Sequence, residues 1–148
     1  MSLETEIMAK MKDAMKAKDE ATLRGLRAIK AALLLLKTSG NESITPEDEL
    51  KMLQKLVKQR QDSLVIFKQQ NRPDLAQKEE EEIAVIEQFL PQQMSEDEIR
   101  SELKNIITEV GASDIKDLGK VMGIATKKLA GRADGKVISA LTKELLSV

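Results

Sequence analysis

Basic residues and glycines recur together near the C-terminus of the chain, in residues 119–136, a stretch called here the basic corner. Apolar residues in its first half follow the spacing of an amphipathic helix. A short turn and the start of another helix follow. Cationic side chains beside a turn and a helix N-terminus are suited to binding an anion such as a phosphate. The predicted phosphate ligands are Lys120, Lys127, Lys128, Arg132 and Lys136.

Other residues of the basic corner have predicted structural roles. Gly131 is placed to end the first helix in the left-handed conformation, and the carboxylate of Asp134 can cap the last helix. Gly119 and Gly123 have two interpretations of equal weight, a close helix crossing or a functional role. Residues 131–137 lack the spacing and the Ser or Thr of a P-loop, so we expect no nucleotide cofactor.

Two sets of cations lie outside the basic corner. Arg24, Arg27 and Lys30 are three residues apart along a predicted helix. We favour a solvated helix edge there over a second basic line that contacts a ligand. Arg60 falls on the apolar seam of a long helix. Because unpaired burial of a guanidinium is costly, we predict that Arg60 is structural and pairs with an acid on a neighbouring helix, and we favour this over a contact with a ligand.

The residue inventory excludes several kinds of chemistry. The chain has no His and no Cys, which removes the usual zinc sites, Cys glutaminases and Ser-His-Asp hydrolases. Residues 79–82 are four consecutive acids, but at most two can share one side of a helix, so we expect no metal site. Only two aromatic residues are present, which disfavours base stacking.

Apolar periodicity predicts an all-α protein with no strands. Four helices fill residues 1–91, and three or slightly more short helices fill residues 92–148, so we predict an N-terminal helical bundle and a smaller C-terminal domain. Pro91 opens the boundary between them. The apolar run 31–36 is far shorter than a membrane span, so we expect no membrane partner. The absence of cysteine and of an N-terminal signal pattern predicts a cytoplasmic protein.

Charge is unevenly distributed along the chain. The whole chain has 24 basic and 25 acidic residues, whereas residues 111–148 carry 7 basic and 4 acidic residues. This local excess of +3 indicates a basic patch rather than a basic protein.

Several segments resemble one known family. Residues 117–123, followed by Lys128, residues 131–134 and Lys136, are similar to the closing motif of the GatB/YqeY family. This family includes free-standing YqeY proteins and the C-terminal tail of the B subunit of tRNA-dependent amidotransferase. The likeness extends upstream to residues 24–30, 58–63 and 86–91.

The resemblance implies a link to tRNA. In the amidotransferase the tail domain is associated with holding the body of the tRNA, within a carbon–nitrogen ligase system that uses glutamine as amide donor. This chain lacks the amidase residues and the ATP site of that system. We therefore expect a non-catalytic helical module that binds tRNA, or a tRNA-bound complex of the aminoacyl-tRNA or translation machinery, through the basic corner. Asp134 and Gly135 depart from the family tail, which tends to have Asn-Pro there.

Two other hypotheses stay open. The first is a protein–protein adaptor that recognises a partner helix through exposed apolar helix edges, without binding nucleic acid. The second is an amidotransferase-type enzyme in its own right, which the residue inventory disfavours.

Overall fold

The computed structural model describes residues 2–40 and 43–147, and these residues form helices and no strands. The prediction of an all-α protein is confirmed. The chain forms two compact units, the N-terminal unit Met1–Leu90 and the C-terminal unit Pro91–Val148. Their independence as folding domains stays a prediction. The helices are α1 (Leu3–Lys16), α2 (Glu20–Thr38), α3 (Pro46–Gln69), α4 (Pro73–Glu87), α5 (Glu96–Val110), α6 (Leu118–Lys128) and α7 (Gly135–Leu146), with a 3₁₀ turn at Ile115–Asp117.

Short polar side chains define where the helices begin. The hydroxyl of Ser2 accepts a hydrogen bond from the Thr5 amide, and the carboxylate of Asp19 accepts one from Thr22. At the start of α3, Thr45 and Asp48 each accept a hydrogen bond from the other's backbone amide, forming a capping box. These contacts satisfy amides that the first helical turn leaves unpaired.

In the N-terminal unit, α2 packs against α1, α3 and α4. Leu26 and Ile29 of α2 are fully buried, as is Ile86 of α4. Gly25 lies where α2 crosses α4, and a Cβ atom there would be only 2.7 Å from Val85. The crossing therefore requires the missing side chain of glycine.

The C-terminal unit has its own core, formed by α5, α6 and α7. Leu103, Ile106, Val121 and Ala125 are fully buried within it. The side chain of Thr142 is buried among them, and its hydroxyl donates a hydrogen bond of 2.6 Å to the Ile138 carbonyl. This bond satisfies the hydroxyl inside its own helix.

Among the residues that the structure describes, none of the helices combines the length and the apolar character needed to cross a membrane.

Candidate nucleic-acid interface on the C-terminal unit

Helix α6 presents one apolar face and one cationic face. Val121 and Ala125 are buried against α5 and α7, whereas Lys120 and Lys127 are exposed. Lys120 and Lys127 are seven residues apart, so they lie two turns apart on the same side of the helix, separated by about 10 Å along its axis. Neither lysine has an acidic side chain within 4.0 Å among the described residues.

Gly123 lies between these two lysines on the same face of α6. A Cβ atom built on Gly123, or on Gly119 one turn earlier, has nothing within 4 Å. The close helix crossing considered for these two glycines is therefore absent within the described part of the chain. Glycine in a helix interior costs about 1 kcal/mol relative to alanine. Gly123 lies in the interior of α6, and among the described residues no neighbour within 4 Å of its Cβ position requires a glycine there.

The turn after α6 is held by backbone hydrogen bonds. Gly131 has a φ of +77°, in the left-handed region that glycine adopts without strain. The amides of Arg132 and Ala133 both donate to the Leu129 carbonyl, and the side chain of Ala133 is buried. The turn thus keeps Arg132 exposed beside the end of α6.

The segment that precedes α5 is hydrogen-bonded to this turn. The Gln93 side-chain amide donates to the Gly131 carbonyl at 2.7 Å, and the Met94 backbone amide donates to the Arg132 carbonyl at 2.9 Å. The Nε of Arg132 donates in return to the Gln92 carbonyl, with a longer distance of 3.4 Å. Residues 92–94 therefore fix the position of the turn.

The start of α7 carries its own carboxylate. Asp134 accepts a hydrogen bond of 3.1 Å from the Lys136 amide, and it is exposed. The amide that a bound phosphate would use is thus already satisfied, and a negative charge lies beside it. Lys136 is exposed, but its position next to Asp134 is less favourable for an anion than the face of α6.

Lys128 differs from the other candidate ligands because it has an acidic neighbour. Its Nζ lies 3.7 Å from a carboxylate oxygen of Glu109 on α5. Both side chains are at least half exposed, so the pair is weak and solvent-screened.

Asp117 lies at the start of α6, as Asp134 lies at the start of α7. A hydrogen bond from the Ser113 amide lowers the pKa of Asp117, with a smaller contribution from Lys120. Asp117 therefore stays ionised near the N-terminus of α6, where its charge is favourable.

The cations of the N-terminal unit have separate environments. Arg24 is half-buried and donates a hydrogen bond of 2.6 Å to Glu81 of α4. Arg27 and Lys30 are exposed, and among the described residues neither has an acidic partner within 4.0 Å. Of the three cations in the basic line considered from the sequence, Arg24 is therefore in an ion pair, whereas Arg27 and Lys30 have no such partner among the described residues.

Arg60 belongs to α3, and its side chain approaches α4. Its Nη2 is 3.8 Å from Glu82 of α4, and its Nη1 donates to the Leu56 carbonyl at 3.0 Å. Its buried Nε has no hydrogen-bond partner among the described residues. Glu82 is the acid on a neighbouring helix that the apolar setting of Arg60 requires.

The described residues contain no group of three or more acidic side chains arranged to hold a metal ion.

Sequence reasoning missed Gln93 and Glu109 as parts of this site. Gln93 and Gly131 are 38 residues apart in the chain, and no local pattern signals their hydrogen bond. Glu109 lies on a polar side of α5, and the sequence does not indicate which cation it approaches.

Comparison with known proteins gives the following relatives. The chain is 33% identical over 140 residues to "Altered inheritance of mitochondria protein 41, mitochondrial" of Lachancea thermotolerans, covering 88% of this chain and 73% of that protein. It is 25% identical over 143 residues to the protein of the same name in Pyrenophora tritici-repentis, covering 95% and 78%. An uncharacterized protein of Schizosaccharomyces pombe is 31% identical over 94 residues, covering 64% and 76%.

Two of these relatives are named as mitochondrial proteins. Their names contradict the cytoplasmic location expected from the sequence, so that expectation is corrected. It relied on missing cysteines and a missing signal pattern, and neither distinguishes the cytosol from a mitochondrial compartment.

The family model described as Yqey-like protein matches residues 4–146, which include every helix except the first residue of α1. The match extends through both units and includes the whole basic corner. The chain therefore belongs to the family of YqeY-like proteins.

Proposed function

We propose that this protein is a non-catalytic helical module that binds tRNA through the exposed face of α6 and the turn that follows it. The observation that carries the proposal is the open face around Gly123, with unpaired Lys120 and Lys127 on either side. A phosphate backbone needs cations that are free to pair and a surface without obstructing side chains. This face offers both.

Within the basic corner the five cations contribute unequally. Lys120 and Lys127 are the primary contacts, and Arg132 extends the surface at the end of α6. Lys128 has to break its weak ion pair with Glu109 before it can bind a phosphate. Lys136 contributes least, because the negative charge of Asp134 lies close to it. Binding is then sensitive to salt and follows the shape of the RNA rather than its sequence.

The family resemblance and the names of the relatives support a proposed biological setting. The family resemblance to an amidotransferase tail supports a tRNA-bound complex of the translation machinery as the partner. The names of the relatives support a mitochondrial rather than a cytosolic setting.

A titration of fluorescent bulk tRNA at about 50 and about 200 mM salt tests the proposal. The variant Lys120→Glu with Lys127→Glu should bind more weakly, and its log–log salt dependence should be shallower by about 0.7 to 0.9 for each lost contact. The matched control is Lys104→Glu with Lys143→Glu, which makes the same charge change on exposed residues of α5 and α7.

Equal losses in the two double variants would mean that net charge alone drives binding, and the α6 face would not be the site. No tRNA binding by the unmodified protein at low salt would reject the proposal.

A further inference from the structure

Exposed apolar side chains lie on both α1 and α2 of the N-terminal unit, as well as on α3. Met8 and Met15 of α1 are 55% and 54% exposed, and Leu34 and Leu35 of α2 are 62% and 70% exposed. Met8, Met11 and Met15 recur at three- and four-residue spacing and form one edge of α1. Methionine side chains are flexible and are used by surfaces that accept helices of varied sequence.

Met8 and Met11 of this edge line a groove between α1 and α2. The groove has a volume of about 390 Å³, with Ile7, Met11 and Leu33 among its lining residues and Met8 and Leu34 at its exposed margin. Along α2 it extends from Arg27 to Lys37, which corresponds to about 15 Å of helix. A partner helix of about three turns has this length.

The rim of the groove is positively charged. Arg27, Lys30 and Lys37 line it from α2, and among the described lining residues Glu4 is the acidic one. Glu4 pairs with Lys37 and neutralises it. Arg27 and Lys30 are left as two exposed cations without acidic partners among the described residues.

We propose that the α1–α2 groove binds an amphipathic helix of a partner protein whose apolar face is flanked by acidic residues. The groove is concave and apolar at its base, which suits the apolar stripe of a helix. Arg27 and Lys30 pair with acidic residues at the margin of that stripe and set its orientation. The groove belongs to the N-terminal unit, whereas the proposed tRNA site belongs to the C-terminal unit.

The charge of the rim disfavours the other occupants. A second copy of this chain that docked symmetrically by the same face would bring Arg27 and Lys30 against a surface of like charge. An RNA backbone would pair with the two cations, but it would leave the methionines and Leu34 without an apolar partner.

The test uses a synthetic amphipathic peptide of about 12 residues, with leucine at helical i, i+3, i+4 and i+7 spacing and glutamate beside the leucine stripe. A matched peptide has lysine in place of each glutamate. Binding is followed by the methyl resonances of methionine in the intact protein. We expect the glutamate peptide to shift the Met8 and Met11 methyl signals, while those of the buried Met52 and of Met122 in the other unit stay in place.

Variants then test the rim and the groove separately. Arg27→Glu with Lys30→Glu should weaken binding of the glutamate peptide about tenfold or more and should improve binding of the lysine peptide. Leu34→Glu should weaken binding of the glutamate peptide, because it removes apolar contact area and adds a like charge. Val65→Glu places the same charge on another exposed apolar residue, in α3, and should change neither affinity.

Four outcomes would overturn the proposal. One is an equal affinity for the two peptides, and another is a glutamate peptide that leaves the Met8 signal unmoved. A concentration-dependent dimer that Leu34→Glu dissolves would assign the groove to a second copy. Loss of tRNA affinity in the Arg27 and Lys30 variant, without peptide binding by the unmodified protein, would assign the rim to RNA.

Discussion

A Cβ atom on Gly25 would lie 2.7 Å from both the Cβ and the Cγ1 of Val85, so α2 and α4 approach each other more closely than any other residue at this position would allow. The nearest obstructing atom is the Cβ of Val85, which cannot move without its backbone. Gly25 is therefore a packing requirement of the N-terminal unit, in contrast to the open glycines of α6.

We expect Gly25→Ala to destabilise the N-terminal unit by about 1 to 3 kcal/mol, because overpacking outweighs the helix propensity gained. Gly123→Ala meets no neighbour and should instead stabilise the C-terminal unit by up to about 1 kcal/mol. Urea unfolding and amide hydrogen exchange in α2 and α6 measure the two effects. A Gly25→Ala protein as stable as the original would contradict the close crossing.

Gly123 also allows a steric test of the tRNA proposal that leaves charge unchanged. Gly123→Gln introduces a long neutral side chain between Lys120 and Lys127, so tRNA affinity should fall about tenfold, at roughly 1.4 kcal/mol, while helix stability rises. Ala140→Gln makes a similar change on the exposed face of α7 and should leave affinity intact. Unchanged binding by Gly123→Gln would show that RNA does not approach this face.

The pair between Arg60 and Glu82 offers a test of charge burial. The two side chains are only 17% and 18% exposed, so Glu82→Met removes the carboxylate within 4.0 Å of a mostly buried guanidinium, leaves it only the weaker interaction with Glu79, and should cost about 2 kcal/mol. The double variant Arg60→Met with Glu82→Met removes both charges and should recover part of that loss. Thermal unfolding of the two variants measures which is more stable. A double variant that is less stable than Glu82→Met would contradict the prediction.

Two carboxyl groups of the N-terminal unit should titrate on opposite sides of their ordinary values. Burial raises the pKa of Glu79 above 4.5, with Glu82 adding to the effect and Arg60 opposing it. Hydrogen bonds with Thr45 lower the pKa of Asp48 below 3.8. Carboxyl NMR titration of the folded protein measures both values.

The sign of each effect on stability follows from these directions. Asp48 contributes stability above pH 3.8, which is lost as the pH falls through its folded pKa. Glu79 binds its proton more tightly in the folded state, so stability decreases as the pH rises from 4.5 through its folded pKa. Asp48→Asn and Glu79→Gln should each remove the corresponding slope from unfolding free energies measured between about pH 3 and 6.

Local features of the fold could be predicted from the sequence. The capping box of Thr45 and Asp48 lies within four residues, and the start of α5 at Ser95 is as local. Apolar spacing was sufficient to assign helices throughout, because helical periodicity is encoded within each segment.

Contacts between distant segments could not be predicted in this way. The pair of Arg24 with Glu81 and the approach of Val85 to Gly25 depend on how α2 and α4 cross, which neither helix specifies alone. In the basic corner, the sequence identified the cations, but the structure was needed to show that Lys128 lies 3.7 Å from Glu109, whereas Lys120 and Lys127 have no carboxylate within 4.0 Å among the described residues.

The hydrogen bonds from residues 92–94 to the turn at Gly131 and Arg132 have a practical consequence for truncation. A C-terminal fragment that begins at Ser95 retains all three helices and every cation of the basic corner, but it leaves two carbonyl groups of the turn without their donors. A minimal C-terminal fragment for testing the proposed RNA binding therefore has to begin at or before Gln92, several residues upstream of α5.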